Sequence, residues 1–527
     1  MRLDGRRIVV NYGYLFIEWR NPVRTGKLPE NTVSLYPFVT VSMKMSQPKA
    51  NLSLFKLVMM TVVAIDSLKN LPTNAQYGSE LIIFYLLATL TFFIPSALVT
   101  AELATAWPAT GGMYVWVREA FGKGAAFLIV WMQWLMAMTW YPAILSFISA
   151  TLAYLVSAEL AVNAVYIFVS IQLLHWGAIL VVSKGLTVSS RLSTLSAVIG
   201  VIIPMLFFIA LAIGWVASGH PSEIDGLSFS GGSLALSDKL RLYITLLYSL
   251  MGMEIIAAHA GDVREPQTNF PRALLISAGI ILATVIPASL AIAMVVPAKK
   301  ISLISGVIDA FTAFLTAFNL TWLKPVVILA VALGSFGIFF TWFLASSRCL
   351  LLAAQDGALP PFLQKANREN MPIRLLILQG VLFSLLSFAF VFLPSVNSAF
   401  WLFSAAAAQC ALLYYVVIFM TALRLRHCHK HHPRPFRVGR KPWVMPVVIG
   451  VGSLSCLMAF AFGFIPPSEM NAQQILPYEL WLVGLLVGGL AVGGLIYQWS
   501  QRRLSHPWRL TVQEPIRQAG AAVENPS

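Results

Sequence analysis

The sequence predicts an all-α polytopic membrane protein of about 12 transmembrane helices: a 5+5 inverted repeat with discontinuous helices 1 and 6, plus two peripheral helices. Three observations predict it. The 527 residues are 58% hydrophobic and 11% charged, with mean hydropathy +0.77, well above the roughly 45–50% apolar share of soluble domains. Apolar runs of the ~20 residues needed to cross a bilayer recur along most of the chain. The first and sixth runs are interrupted by polar residues, Gly or Pro at corresponding places, the pattern of an inverted repeat whose broken helices enclose a midplane site.

Residues 1–50 are polar and aperiodic, either a disordered arm or an extension upstream of a start at Met43 or Met45. They lack the apolar stretch and cleavage site of a secretory signal. The membrane domain spans residues 51–500 and a polar tail covers 501–527. Spans are predicted over 54–77, 81–106, 124–157, 160–183, 194–217, 239–260, 272–296, 322–354, 373–393, 397–423, 443–465 and 476–499. Segment 219–238 reads as a Gly/Ser-rich external loop, and 305–318 as a short amphipathic helix on the outer face.

An even number of spans puts both termini on one side. Seventeen Lys and Arg fall in the loops on that side, including seven between Arg424 and Lys441, against five (Lys239, Arg241, Lys299, Lys300 and Lys324) on the other. Positive charge marks the cytoplasmic loops, so both termini are expected in the cytoplasm. The net charge of +15 is therefore topology: basic residues sit in short loops rather than on a folded domain, so no nucleic-acid partner is expected. The cysteines, Cys349, Cys410, Cys428 and Cys456, show no paired spacing.

The first span carries Asp66, Ser67, Lys69 and Asn70 just before Pro72. Polar groups at that density are costly against lipid, so the stretch Thr61 to Tyr77 reads as a break facing a cavity or protein interior. Asp66 and Lys69 stand three apart. If the stretch stayed helical they would pair on one face; if not, one of them meets a charged substrate group. In the sixth span Gly252 lies between Met251 and Met253, followed by Glu254. An intramembrane Glu is a functional candidate by default. Glu102 reads as bracing the Gly-Gly turn that follows it.

Three ordered segments, AELATAWPATGGMYVWVREAFG from 101, YSLMGMEIIAAHAGDVREPQTNFPRAL from 248 and SSRCLLLAAQDGALPPFLQKANRENMPI from 346, resemble signatures of the amino acid, polyamine and organocation (APC) transporter superfamily. Within it the chain is most similar to the bacterial glutamate/GABA antiporter family, in YSLMGMEIIAAHAGD and in WFLASSR from 342. The resemblance implies amino acid exchange by alternating access, with a proton-coupled permease or an amino acid facilitator or sensor as alternatives. It implies an integral protein of the plasma membrane, the inner membrane if bacterial, and no enzyme activity. The expected partners are an amino acid and its counter-substrate, the bilayer, and anionic lipids at cytoplasmic loops. No cofactor and no metal are expected, and the sequence sets no oligomeric state.

The resemblance also places a substrate site. Backbone of the unwound helices near Ile65, Asp66, Ser67, Lys69 and Asn70, and near Ser249, Met251 and Gly252, would bind the amino acid's charged ends. Tyr248 and Trp342 match aromatic gates, although aromatics in membrane helices also serve packing. Tyr414 or Tyr415 would complete the wall, and Glu254 matches a conformational or proton-linked switch. Two departures touch side-chain recognition: Ile338 stands where relatives have an acidic residue one turn before the tryptophan, and Lys69 replaces a tyrosine. A C-terminal plug like that of the relatives would have only His506 as a titrating group near neutral pH. The His-rich segment 424–441, with His427, His429, His431 and His432, reads as a solvated basic loop that touches anionic lipid and responds to acid pH. The fifth span has no carboxylate and no Lys, so the internal cation that stands in for sodium in some proton-coupled relatives is missing, which favours exchange over sodium symport, with proton coupling through Glu254 left open.

Overall fold

The computed structural model describes residues 2–3, 6–7, 52–108, 111–183, 196, 198–224, 236–257, 263–365, 367, 372–439, 441–465 and 472–503. The chain divides into Met1–Asn51 and Leu52–Ser527. In the first unit Arg2–Leu3 pairs antiparallel with Arg6–Arg7; the expectations for the rest of residues 1–50, for the centre of loop 219–238 and for the tail beyond 503 lie outside the described residues.

The second unit is helical throughout its spans, as it must be where lipid offers the backbone no hydrogen-bond partner. Its elements are α1 (Leu54–Ile65) and α2 (Leu71–Ala75), α3 (Gly78–Ala106), α4 (Met113–Phe121), α5 (Lys123–Ala153), α6 (Ala164–Ser183) and α7 (Val198–Ala217). Then come α8 (Leu236–Ser249) and α9 (Met253–Ala257), α10 (Pro266–Val295), α11 (Gly306–Ala317), α12 (Thr321–Ala358), α13 (Ile373–Phe392), α14 (Val396–Cys428), α15 (Val444–Phe462) and α16 (Ile475–Arg502). Among the described residues eleven spans are long and apolar enough to cross a membrane. The predicted first span is absent from that count because it is divided into the twelve-residue α1 and the five-residue α2.

Burial separates centre from periphery. The apolar windows of α5, of α14 and of α8 with α9 are 94%, 83% and 88% buried, against 17% for α16. The first three therefore form the middle of the bundle, and α16 faces outward. α7 and α12 cross backbone to backbone: a Cβ on Gly200 would stand 2.1 Å from the Gly334 nitrogen, so the crossing requires glycine on both helices.

One end of the bundle is covered by α11, whose Gly306 packs against Pro72 of α2. Asp309 on α11 accepts hydrogen bonds from the Tyr154 hydroxyl at 2.5 Å and the Ser305 hydroxyl at 2.9 Å. Nearby, Lys239 pairs with Glu80 at 2.7 Å.

The other end holds two differences from expectation. Glu102 does not brace the glycine turn: its carboxylate accepts from Arg426 at 2.5 and 2.8 Å and from the Val438 N–H at 2.7 Å, with Arg434 at 3.5 Å. Nor is the His-rich segment fully solvated. His432 stacks on Trp107 with centroids 4.3 Å apart and donates from Nε2 to the Ala106 carbonyl at 2.9 Å, while the Arg434 guanidinium lies over the same indole at 5.6 Å. His427 and His431 remain exposed. The loop folds back because a buried carboxylate recruits Arg434 and the Val438 N–H, and Trp107 offers a flat face to the imidazole. Burial lowers the Arg434 pKa from the ordinary guanidinium range, with the Glu102 charge opposing the shift.

Replacing Glu102 by Ala leaves Arg426 and Arg434 without their counter-charge, and an unpaired buried charge costs about 3–5 kcal/mol. The expected outcome is a clear fall in the melting temperature of the purified protein; a melting temperature equal to wild type would show that the cluster contributes nothing to folding.

Candidate functional site

The two broken spans meet at one place. α1 stops because Asp66 (φ −74°, ψ 98°) and Ser67 (φ −124°, ψ 122°) are extended; the chain resumes as a tight turn over Leu68–Asn70 and then α2, with Pro72 in its first turn. That position suits proline, whose missing N–H would find no helical partner there. α8 stops at Ser249, and three residues later Gly252, at φ +130°, redirects the chain into α9. Such a φ is open to glycine and strained for other residues. A Cβ on Gly252 would stand 3.0 Å from the Ile65 side chain and 3.4 Å from both the Ala64 carbonyl oxygen and the Trp342 ring.

A small cavity lies at this junction, lined by Ala64, Ile65, Ser67 and Asn70 from the first break and by Tyr248 and Met251 from the second. Met136 and Trp140 of α5 and Ile338 and Trp342 of α12 close it. The centre of a water-sized sphere has about 30 Å³ in which to move, room for about two waters. An amino acid needs more, so the cavity as it stands is too small to hold one.

Its polar contacts are specific. The carbonyls in the last turn of a helix have no partner within that helix; here the Trp342 indole N–H donates to Ala64 at 3.1 Å. Trp140 packs beside Trp342, centroids 5.6 Å apart. Behind the second break, the Gly252 N–H donates to the Tyr415 hydroxyl at 3.0 Å. That hydroxyl in turn hydrogen-bonds one oxygen of Glu254, and the Tyr414 hydroxyl donates to the other at 2.8 Å.

Of the residues expected to bind substrate, Ile65, Ser67, Asn70, Tyr248, Met251 and Trp342 line the cavity. The others stand behind it. Asp66 faces Thr284 of α10 at 2.8 Å. Lys69 bonds Asn70 at 3.2 Å and lies 4.8 Å over the Phe400 ring. Among the described residues no ion pair joins Asp66 to Lys69, because the extended residues between them destroy the helical spacing that a pair would need. Ser249 is beside Tyr85, 3.4 Å away. Tyr414 and Tyr415 hold Glu254 and the backbone of the break rather than completing the wall. Met136 and Trp140 were not singled out from the sequence. They are four apart on a helix and so share a face, and the density of Trp and Met in WMQWLMAMTWY was the available signal.

A helical membrane bundle with a small-molecule cavity where two discontinuous helices meet is the construction of a secondary transporter. The chain belongs to the amino acid permease family, whose model matches residues 52–490, and so with the transporters rather than the enzymes. It is 39% identical to an uncharacterized transporter of Legionella pneumophila over 84% of this chain and 96% of that one. It is 27% identical to a glutamate/gamma-aminobutyrate antiporter of Lactococcus lactis, over 89% and 94%, and 23% identical to a probable agmatine/putrescine antiporter of the same species, over 88% and 99%.

Tyr415→Phe removes the hydroxyl shared by Gly252 and Glu254, and an unsatisfied buried group costs about 1–3 kcal/mol. The variant should melt below wild type and below Tyr414→Phe, which unlinks Glu254 alone. Equal melting of the two variants would refute a special role for the Tyr415 bridge.

Proposed function

We propose that this protein exchanges one amino acid for another across the plasma membrane by alternating access, with both termini in the cytoplasm. The observation that carries the reading is the junction itself: the end of α1, the Gly252 turn and Trp342 converge on a cavity lined by backbone and neutral side chains. Carbonyls at the end of α1 are suited to an ammonium. Trp342 occupies the Ala64 carbonyl while the cavity is small, and an arriving ammonium would compete for that oxygen. The antiporter names of two relatives support exchange, and the distribution of basic residues supports the orientation.

The side chains on the wall, among them Met136, Trp140, Ile338 and Trp342, carry no formal charge. A charged substrate side chain placed against them would lose its hydration without a partner, so neutral amino acids fit this wall better than glutamate or agmatine.

Counterflow in proteoliposomes tests both parts. Labelled methionine or phenylalanine should accumulate only when unlabelled amino acid is loaded inside, and about tenfold or more above labelled glutamate, a difference of ~1.4 kcal/mol or more. Uptake indifferent to the internal load would sink exchange; glutamate at parity would sink the neutral-side-chain reading alone.

A further inference from the structure

Asp66 is fully enclosed, 1% exposed, at the end of α1. The surroundings of its two carboxyl oxygens settle what form it takes. Oδ1 is buried and, among the described residues, has no hydrogen-bond partner. Oδ2 lies 2.8 Å from the Thr284 hydroxyl oxygen, which is also 2.9 Å from the Ile280 carbonyl and 3.0 Å from the Ile281 carbonyl of its own helix. A threonine hydroxyl has one proton to give and lone pairs to receive, a carbonyl only receives, and an ionised carboxylate only receives. With Asp66 ionised, three acceptors would contend for one proton, one carboxylate oxygen would be left bare, and a negative charge would sit in the bundle with no cation paired to it among the described residues. With Asp66 protonated the count closes: its O–H donates to the threonine oxygen, the threonine O–H donates back to its own helix, and Oδ1 is a neutral carbonyl oxygen, far cheaper to leave unpaired than a charge.

The ionisable groups facing it agree. Lys69, on the same break, is turned away to Asn70 and the Phe400 ring. Tyr85 of α3 is engaged with Asn74 at 2.6 Å and Ser249 at 3.4 Å. Glu254, on the other break, is held by Tyr414 and Tyr415. None supplies a counter-charge.

We propose that Asp66 is a proton-binding site of the transport cycle, occupied in the form seen here, where the residue is buried, and emptied when the first break opens to water. The step is a simple ionisation: the O–H bond of the carboxyl breaks, its electron pair stays on Oδ2, the proton passes to water on the open side, and the Thr284 hydroxyl rotates to donate to the new carboxylate. Because Asp66 is the residue at which α1 ends, its charge state bears directly on how the break packs against α10. This rests on the exchange reading for its role in transport, and not for the protonation itself.

The test has two arms. Infrared difference spectra of the reconstituted protein between neutral and alkaline pH should contain the carbonyl stretch of a buried protonated carboxyl that is missing in Asp66→Asn. In Thr284→Val, which leaves the acid without its acceptor, the band should persist at higher frequency, and this second variant keeps the test decisive if Asp66→Asn does not fold. In counterflow, the pH profile of Asp66→Asn should lose one limb relative to wild type. A band unchanged in both variants, its absence from wild type, or a pH profile unaltered in Asp66→Asn would each overturn the proposal. Absence of counterflow in wild type with the band present would instead defeat exchange and leave the proton site standing.

Discussion

The constraint on which the rest of the site depends is the approach of the second break to the first at Gly252. There the chain turns at φ +130°, with no room for a side chain between Ile65, the Ala64 carbonyl and Trp342. Moving the two breaks apart by the width of a methyl group would open the Trp342 to Ala64 bond and part the walls of the cavity. The turn is in turn anchored from behind, since the Gly252 N–H is spent on Tyr415. A backbone group that would be costly to leave unpaired in a dry bundle is thus used to fix where α9 begins.

The buried ionisable groups follow one logic with different solutions. Glu102, near an end of the bundle, recruits two arginines and a backbone N–H. Glu254 is given two phenolic hydroxyls and, among the described residues, no cation. Asp66 is given a single hydroxyl, and Lys69 an amide and an aromatic face. The supply of partners falls toward the middle of the bundle, where every further charge would itself need compensation. Groups with few partners are the ones whose charge can change when water enters.

The lid at one end and the folded-back basic loop at the other close over the same central helices. α11 is tied through Asp309 to Tyr154 at the end of α5, and the loop after α14 is tied through Arg434 and the Val438 N–H, beside Arg426 of α14 itself, to Glu102 on α3. Both ties are polar.

The class of protein, its spans and the positions of both breaks were legible in the chain, because hydropathy and the placement of Gly, Pro and polar residues act locally: a run of apolar residues must be helical in lipid, and Pro72 and Gly252 disturb the backbone where they stand. What lines the cavity was legible in half. Ile65, Ser67, Asn70, Tyr248, Met251 and Trp342 follow from the breaks and the family motifs, whereas Met136 and Trp140 come from a helix with no break to mark it. Only the tertiary structure decided where side chains of equal sequence appeal are directed. It turned Asp66 to Thr284, Lys69 to Asn70 and Tyr415 to Glu254, and it drew the basic loop onto Trp107. These choices depend on partners 160 to 330 positions away in the chain for all but Lys69, and no local pattern encodes which distant helix supplies the hydrogen bond.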